Sequence, residues 1–151
     1  MIVFCLSVAV CGAQDADELI KKVKAKLSIG KVKKGEVYRY WIWKHEAVGT
    51  EIKKKKRLGV IVSTNGLNKW DKRFVIIPLT SKKLGEIYRY EVRTFVDSKH
   101  GKALIDQVKT VDKKRLIKKL GELTEKELDA IQEKLLAIFD LWEYLKKREL
   151  V

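Results

Sequence analysis

The apolar positions of this chain follow two rhythms, and the change between them falls near Lys34. Before it, Leu19, Ile20, Val23 and Leu27 recur at helical spacing behind Asp15 and Glu18, which stand three apart as in a capping box. Gly30 is placed to end that helix. Afterwards the rhythm is that of strands. Residues 37–43, 58–64, 74–79, 87–95 and 103–109 are short runs rich in Val, Ile, Tyr and Trp, separated by loops holding Gly49, Gly66, Asn68, Gly85 and Gly101. The intervals are too short for crossover helices, so a small, strongly bent antiparallel sheet or barrel is predicted. The chain closes on a helix. Thr124 and Glu127 make a capping box, Leu123 and Leu128 stand at the staple positions, and Leu128, Ile131, Leu135, Ile138, Trp142 and Leu145 form one apolar face. The fold class is therefore mainly β (α+β): a small antiparallel barrel with a C-terminal packing helix and an extra N-terminal helix.

A length of 151 residues suits one domain, and 46% hydrophobic content excludes a disordered tail. Charge changes the picture more. With 34 Lys+Arg against 20 Asp+Glu the formal net charge is +14, which favours a polyanionic partner. A heat-adapted Lys/Glu surface would explain the charged fraction of 36%, but not its one-sided sign. Cys5 and Cys11 are the only cysteines, and His45 and His100 the only histidines, so neither a structural metal nor a cofactor is predicted. Residues 1–13 are apolar, with Cys11 and Ala13 spaced like a signal-peptide cleavage site, yet no basic residue lies between Met1 and Phe4. The stretch is short for a transmembrane helix and reads as a signal peptide, an interfacial anchor or a mis-assigned start. Residues 14–32 then form a helical extension and 33–151 the main domain.

Candidate chemistry gathers around the ends of the strands. Residues 45–51 read HEAVGTE, and Lys53, Lys54, Lys55 and Lys56 follow just before Arg57, which opens the strand 58–62. An arginine held by a buried strand is suited to bidentate phosphate recognition, while flexible lysines add long-range attraction. The third run ends IIPLTSK; Pro78 inside it predicts an edge or a bulge, and Thr80 surfaces at its end. Thr80 could equally be a strand-end hydroxyl bonded to backbone. Asp106 and Gln107 fall inside the apolar fifth run, where a carboxylate needs a partner. Trp41, Trp43, Trp70 and Tyr88 offer faces on which splayed bases could stack.

These residues lie in ordered blocks: KKGEVY at 33–38, VGTE at 48–51, RLGVIVSTN at 57–65, VIIPLTS at 75–81 and ALIDQVKTVDKKRL at 103–116. In order and spacing the blocks resemble the MazF/PemK (Kid) toxin family of type II toxin–antitoxin systems. The resemblance implies an SH3-like barrel, a homodimer, a cytoplasmic location and metal-independent cleavage of single-stranded RNA at short motifs. It also implies a cognate antitoxin with an acidic flexible tail, and operator DNA bound jointly with it. The family's catalytic Arg and Thr fall on Arg57 and Thr80, and the acidic position of its DQ motif on Asp106. Thr50, Lys53, Lys54, Lys55, Lys56, Ser81, Lys82 and Gln107 fall into the RNA-binding set. Two departures stand out: Leu58 follows Arg57 where the family usually has Pro, and lysines replace the loop glycines.

Arginine and threonine supply no general base near neutral pH as residue types, so His45, Glu51 and Asp106 are the candidates. No integral membrane role is expected, although residues 1–13 leave export open. Two other readings use the same features: a non-catalytic nucleic-acid-binding barrel of SH3-like form, or a protein-targeting toxin of the same fold.

Overall fold

The computed structural model describes residues 29–42, 56–70 and 72–149. The N-terminal helix, Trp43, His45, Thr50, Glu51, Lys53, Lys54 and Lys55 lie outside them. The chain divides into Met1–Gly30 and Lys31–Val151, and every described strand and helix belongs to the second unit.

Seven strands form one curled antiparallel sheet: β1 (Glu36–Trp41), β2 (Lys56–Ile61), β3 (Arg73–Thr80), β4 (Glu91–Val96), β5 (Lys99–Leu104), β6 (Lys109–Asp112) and β7 (Leu116–Glu122). Their order is β4-β5-β3-β2-β1-β7, with β6 also on β3. Helix α1 (Asn65–Trp70) joins β2 to β3, while α2 (Glu125–Ile138) and α3 (Leu141–Lys147) end the chain. The mainly antiparallel curled sheet agrees with the small barrel that the sequence predicts, and the single C-terminal packing helix predicted with it is two helices, α2 and α3.

Alternation along the strands sorts the side chains onto two faces. One face is a row of apolar neighbours, Leu58↔Leu79, Leu79↔Ala103 and Val92↔Ala103, together with Val37, Val60 and Ile77. It packs with Leu123 and with Ile131 of α2, flanked by Leu135 and Ile138. The capping box is present: Thr124 Oγ1 accepts from Glu127 N at 3.3 Å, and Glu127 Oε2 accepts from Thr124 N at 2.8 Å. The opposite face carries the buried Tyr40, Ile61, Phe74 and Ile76. Gly59 belongs to this second face. A Cβ there would stand 3.0 Å from Tyr40 Cε1 and 3.1 Å from Ile76 Cδ1. Gly59→Ala is therefore expected to cost about 1–3 kcal/mol of stability by overpacking, measured by urea denaturation; an unchanged midpoint would show slack in the curl.

Several sequence expectations are corrected. The run 103–109 is not one strand: a 3-10 turn, Ile105–Gln107, interrupts it, because β3 pairs with β6 through Ile76 and with β5 only from Leu79. Pro78 lies in a central strand, not at an edge. The pairing on that side of β3 skips Ile77 and Pro78, so a residue without an N–H is tolerated there. The fourth run starts only at Glu91, and Ile87 and Tyr88 lie in the preceding loop. The C-terminal helix breaks at Asp140, whose φ of 53° is left-handed, leaving Trp142 partly exposed on α3.

Beside the bottom of β1, Glu36 is buried and accepts from Lys119 Nζ at 2.8 Å, Lys33 N at 2.9 Å and Tyr38 Oη at 3.0 Å. Burial alone would raise its carboxyl, but these three donors hold it below the ordinary carboxylate value. Burial first, and the Glu36 charge second, push the Tyr38 hydroxyl up. A carboxylate depressed on folding contributes stability above its unfolded value and loses it as pH falls through the folded one. Stability of the protein is thus expected to fall below about pH 4.3, the unfolded Glu value, and Glu36→Gln should flatten that acid limb in denaturant titrations.

Candidate active site

The register that builds the apolar row also builds a polar one. Leu58↔Leu79 is the last β2–β3 pair, so Arg57 and Thr80 stand one step beyond it at the same end of neighbouring strands. Thr80 pairs in turn with Lys102 on β5, and Lys102 with Arg93 on β4. Cross-strand neighbours share a face. Arg57, Thr80, Lys102 and Arg93 thus form a transverse row on the face opposite the α2 core.

Arg57 is half-buried, and its Nη1 donates to Gln107 Oε1 at 3.4 Å, a long contact. Gln107 reaches it because the 3-10 turn has an anchor. Ile105 is fully buried in the α2-facing core, which turns Asp106 outward and leaves Gln107 half-buried toward β2. Asp106 is therefore exposed rather than held inside a strand. The sequence assigned a partner to that carboxylate, but the contact with Arg57 belongs to Gln107.

Thr80 is half-buried, and its Oγ1 accepts from Lys82 N at 3.2 Å, so the backbone-bonded role is present. The hydroxyl retains its own proton to donate. Ser81 and Lys82 are exposed just beyond. Lys56 is also exposed, with its Nζ 4.4 Å from the centre of the half-buried Trp41 ring. Trp70 is 82% exposed on α1 and Tyr88 58% exposed in the β3–β4 loop.

Beside Gln107 opens a hollow of about 350 Å³, walled by Tyr88, Arg89, Tyr90, Leu104 and Asp106. Glu91 also lines it. Burial alone would raise the Glu91 carboxyl, but Lys102 Nζ at 2.8 Å and Tyr88 N at 2.9 Å hold it below the ordinary value. Sequence reasoning missed Lys102, Arg89, Tyr90 and Glu91. A lone lysine in GKAL gives no sign of burial, and only the β3–β5 register places it beside Thr80.

Residues 33–139 match the family profile described as PemK-like, MazF-like toxin of type II toxin–antitoxin system. The chain belongs to that family. The match spans every strand and all of α2, including the Arg57, Thr80 and Gln107 positions. Among solved structures, the fold is similar to MazF (Form-I) from Deinococcus radiodurans, with TM-score 0.60 and 21% identity over 74% of this chain and 98% of that one. It is also similar to an endoribonuclease in complex with its cognate antitoxin from a mycobacterial species (TM-score 0.59, 23% identity, 73% and 96% covered). Mycobacterium tuberculosis toxin MazF-mt6 is a third such structure (TM-score 0.54, 17% identity, 70% and 96% covered). At these identities the likeness is one of fold. No curated protein sequence matches. Among the described residues, no helix of this MazF-like chain is long and apolar enough to cross a membrane.

Proposed function

We propose that this MazF-like toxin is a metal-independent endoribonuclease that cuts single-stranded RNA at short sequence motifs. The observation that carries the reading is the placement of Arg57 and Thr80 on one face at facing strand ends, with Gln107 on the guanidinium. RNA brings its own nucleophile. The ribose 2′-oxygen attacks the adjacent phosphorus, its proton passes to a base, and the P–O5′ bond breaks as O5′ takes up a proton. The products are a 2′,3′-cyclic phosphate and a 5′-hydroxyl. What the protein must supply is in-line geometry and positive charge for the phosphorane. Arg57 supplies the charge and Thr80 a hydrogen bond to a non-bridging oxygen, while Gln107 orients Arg57. Of the three candidate bases, Asp106 alone lies among the described residues, on the wall of the hollow; His45 and Glu51 remain candidates beside it.

The same basic surface suits an acidic flexible antitoxin tail, which would cover the groove and block RNA. A homodimer in the cytoplasm, binding operator DNA together with its antitoxin, completes the proposal. RNA carrying a single 2′-deoxy substitution at the cut position tests the chemistry, and cleavage there is expected to vanish while neighbouring sites are still cut. Cutting at the deoxy position would refute 2′-hydroxyl attack. RNA that is bound but left intact would favour the binding-only barrel.

A further inference from the structure

A buried ammonium group lies directly beneath the loop that walls the hollow. Lys102 is only 3% exposed, and its Nζ donates to Glu91 Oε2 at 2.8 Å and to Glu86 O at 2.9 Å. The same Nζ lies 5.3 Å from the centre of the Tyr88 ring. Glu91 Oε2 also accepts from Tyr88 N at 2.9 Å, and Tyr88 Oη donates to Glu86 Oε2 at 3.0 Å. Both hydrogen bonds of the Lys102 ammonium therefore go to one stretch of chain, residues 86–91. An apolar side chain of similar volume could fill that space without the desolvation cost of a buried ion pair. What the pair adds is geometry: it fixes the Tyr88 ring on the loop between β3 and β4.

We propose that the hollow beside Gln107 is a subsite for one nucleobase of the RNA strand, and that Lys102 is the positioning residue that holds its Tyr88 wall. The inference rests on the RNA reading of the Arg57 site. A volume of about 350 Å³ is at the small end of ligand pockets, which run roughly 300–1,000 Å³, and suits a single flat ring rather than a stretch of chain. Tyr88 has Lys102 on one face of its ring and is still 58% exposed, so it can stack a base. Arg89 offers donors, Asp106 acceptors and Gln107 both, which is the mixture that reads the edge of an unpaired base. Gln107 touches Arg57, so a base seated here adjoins the phosphate that Arg57 would hold.

The test is a binding cycle that does not depend on turnover, using the full chain and uncleavable 2′-O-methyl hexanucleotides. The tightest binder of the four homopolymers is scanned with an abasic residue at each position in turn. Removing the base at one position is expected to weaken binding to the unaltered protein by about five- to hundred-fold, the range of a single base–aromatic stack. With Tyr88→Ala that penalty should vanish, and with Tyr88→Phe it should persist. Lys102→Met alone would strand the half-buried Glu91 charge, so the double variant Lys102→Met/Glu91→Gln is used. It should melt as a folded protein and yet lose the same single-position penalty, an effect that a purely stabilising ion pair would not produce. A penalty at no position, or one unchanged in Tyr88→Ala, overturns the subsite even if RNA is cut. A penalty retained by the double variant overturns the role of Lys102. Position-specific binding without any cutting of unmodified RNA would overturn the nuclease reading and leave the subsite standing. Failure both to bind and to cut would overturn both.

Discussion

Arg57→Ala is expected to lower RNA cleavage at saturating substrate by about 10²–10³-fold, the loss typical of removing one preorganised donor to a developing oxyanion. The fold should survive, because the Arg57 side chain lies at the start of β2, beyond the apolar row that holds the sheet to α2. Circular dichroism and the urea midpoint would establish that. Arg57→Lys should recover only part of the rate, since an ammonium keeps the charge but loses the planar fork. Gln107→Ala is expected to fall between wild type and Arg57→Ala, because it removes one of the contacts that hold the guanidinium while keeping the charge. Near wild-type turnover by Arg57→Ala would remove this residue from the reaction altogether.

The second large effect is on stability. Ile131 is fully buried where α2 lies on the sheet, in the same cluster as Ile77, Leu79 and Ile105. Ile131→Ala is expected to cost about 2–5 kcal/mol through lost burial and the cavity left behind. That is a large part of the ~5–15 kcal/mol that holds a domain folded. The urea midpoint should fall with the slope unchanged, whereas Glu133→Ala on the exposed side of α2 should move stability by no more than about 0.5 kcal/mol. Ile105 shares the cluster and orients the Asp106–Gln107 turn, so cleavage by Ile131→Ala should also fall at temperatures where the protein is still folded. A loss equal to that of Glu133→Ala would mean that α2 contributes little to the core.

Short runs of strand-forming residues made the sheet readable. The family resemblance singles out Arg57 and Thr80, and the strand ends place one at the start of β2 and the other at the end of β3. The 3-10 turn was not legible, since Ile105 reads as one more apolar position in an apolar run. Only the passage of the β3 ladder from β6 to β5 reveals the break. Strand β7 was hidden by its composition: LIKKLGE places two lysines where an alternating strand would show a face. Helix α1 was hidden by Gly66 and Asn68, which look like loop residues, although Asn68 is buried and bonded to Ser63. The break at Asp140 carries no Gly or Pro, and the 3.6-residue rhythm runs across it unbroken. Lys102 was the least legible of all. Sequence patterning assigns a lysine to solvent, and its burial follows from contacts with residues 11 and 16 positions away in the chain.

The +14 charge that first pointed to a polyanion now divides into a diffuse attraction and a few ordered cations, of which Arg57 contacts Gln107 on the wall of the hollow. Mapping the ends that the full chain produces from a mixed RNA decides whether cleavage proceeds by 2′-hydroxyl attack. The chemistry predicts discrete cuts that leave 2′,3′-cyclic phosphate and 5′-hydroxyl ends, formed equally well in the presence of a metal chelator. Intact RNA, or fragments bearing 5′-phosphate ends, would contradict it.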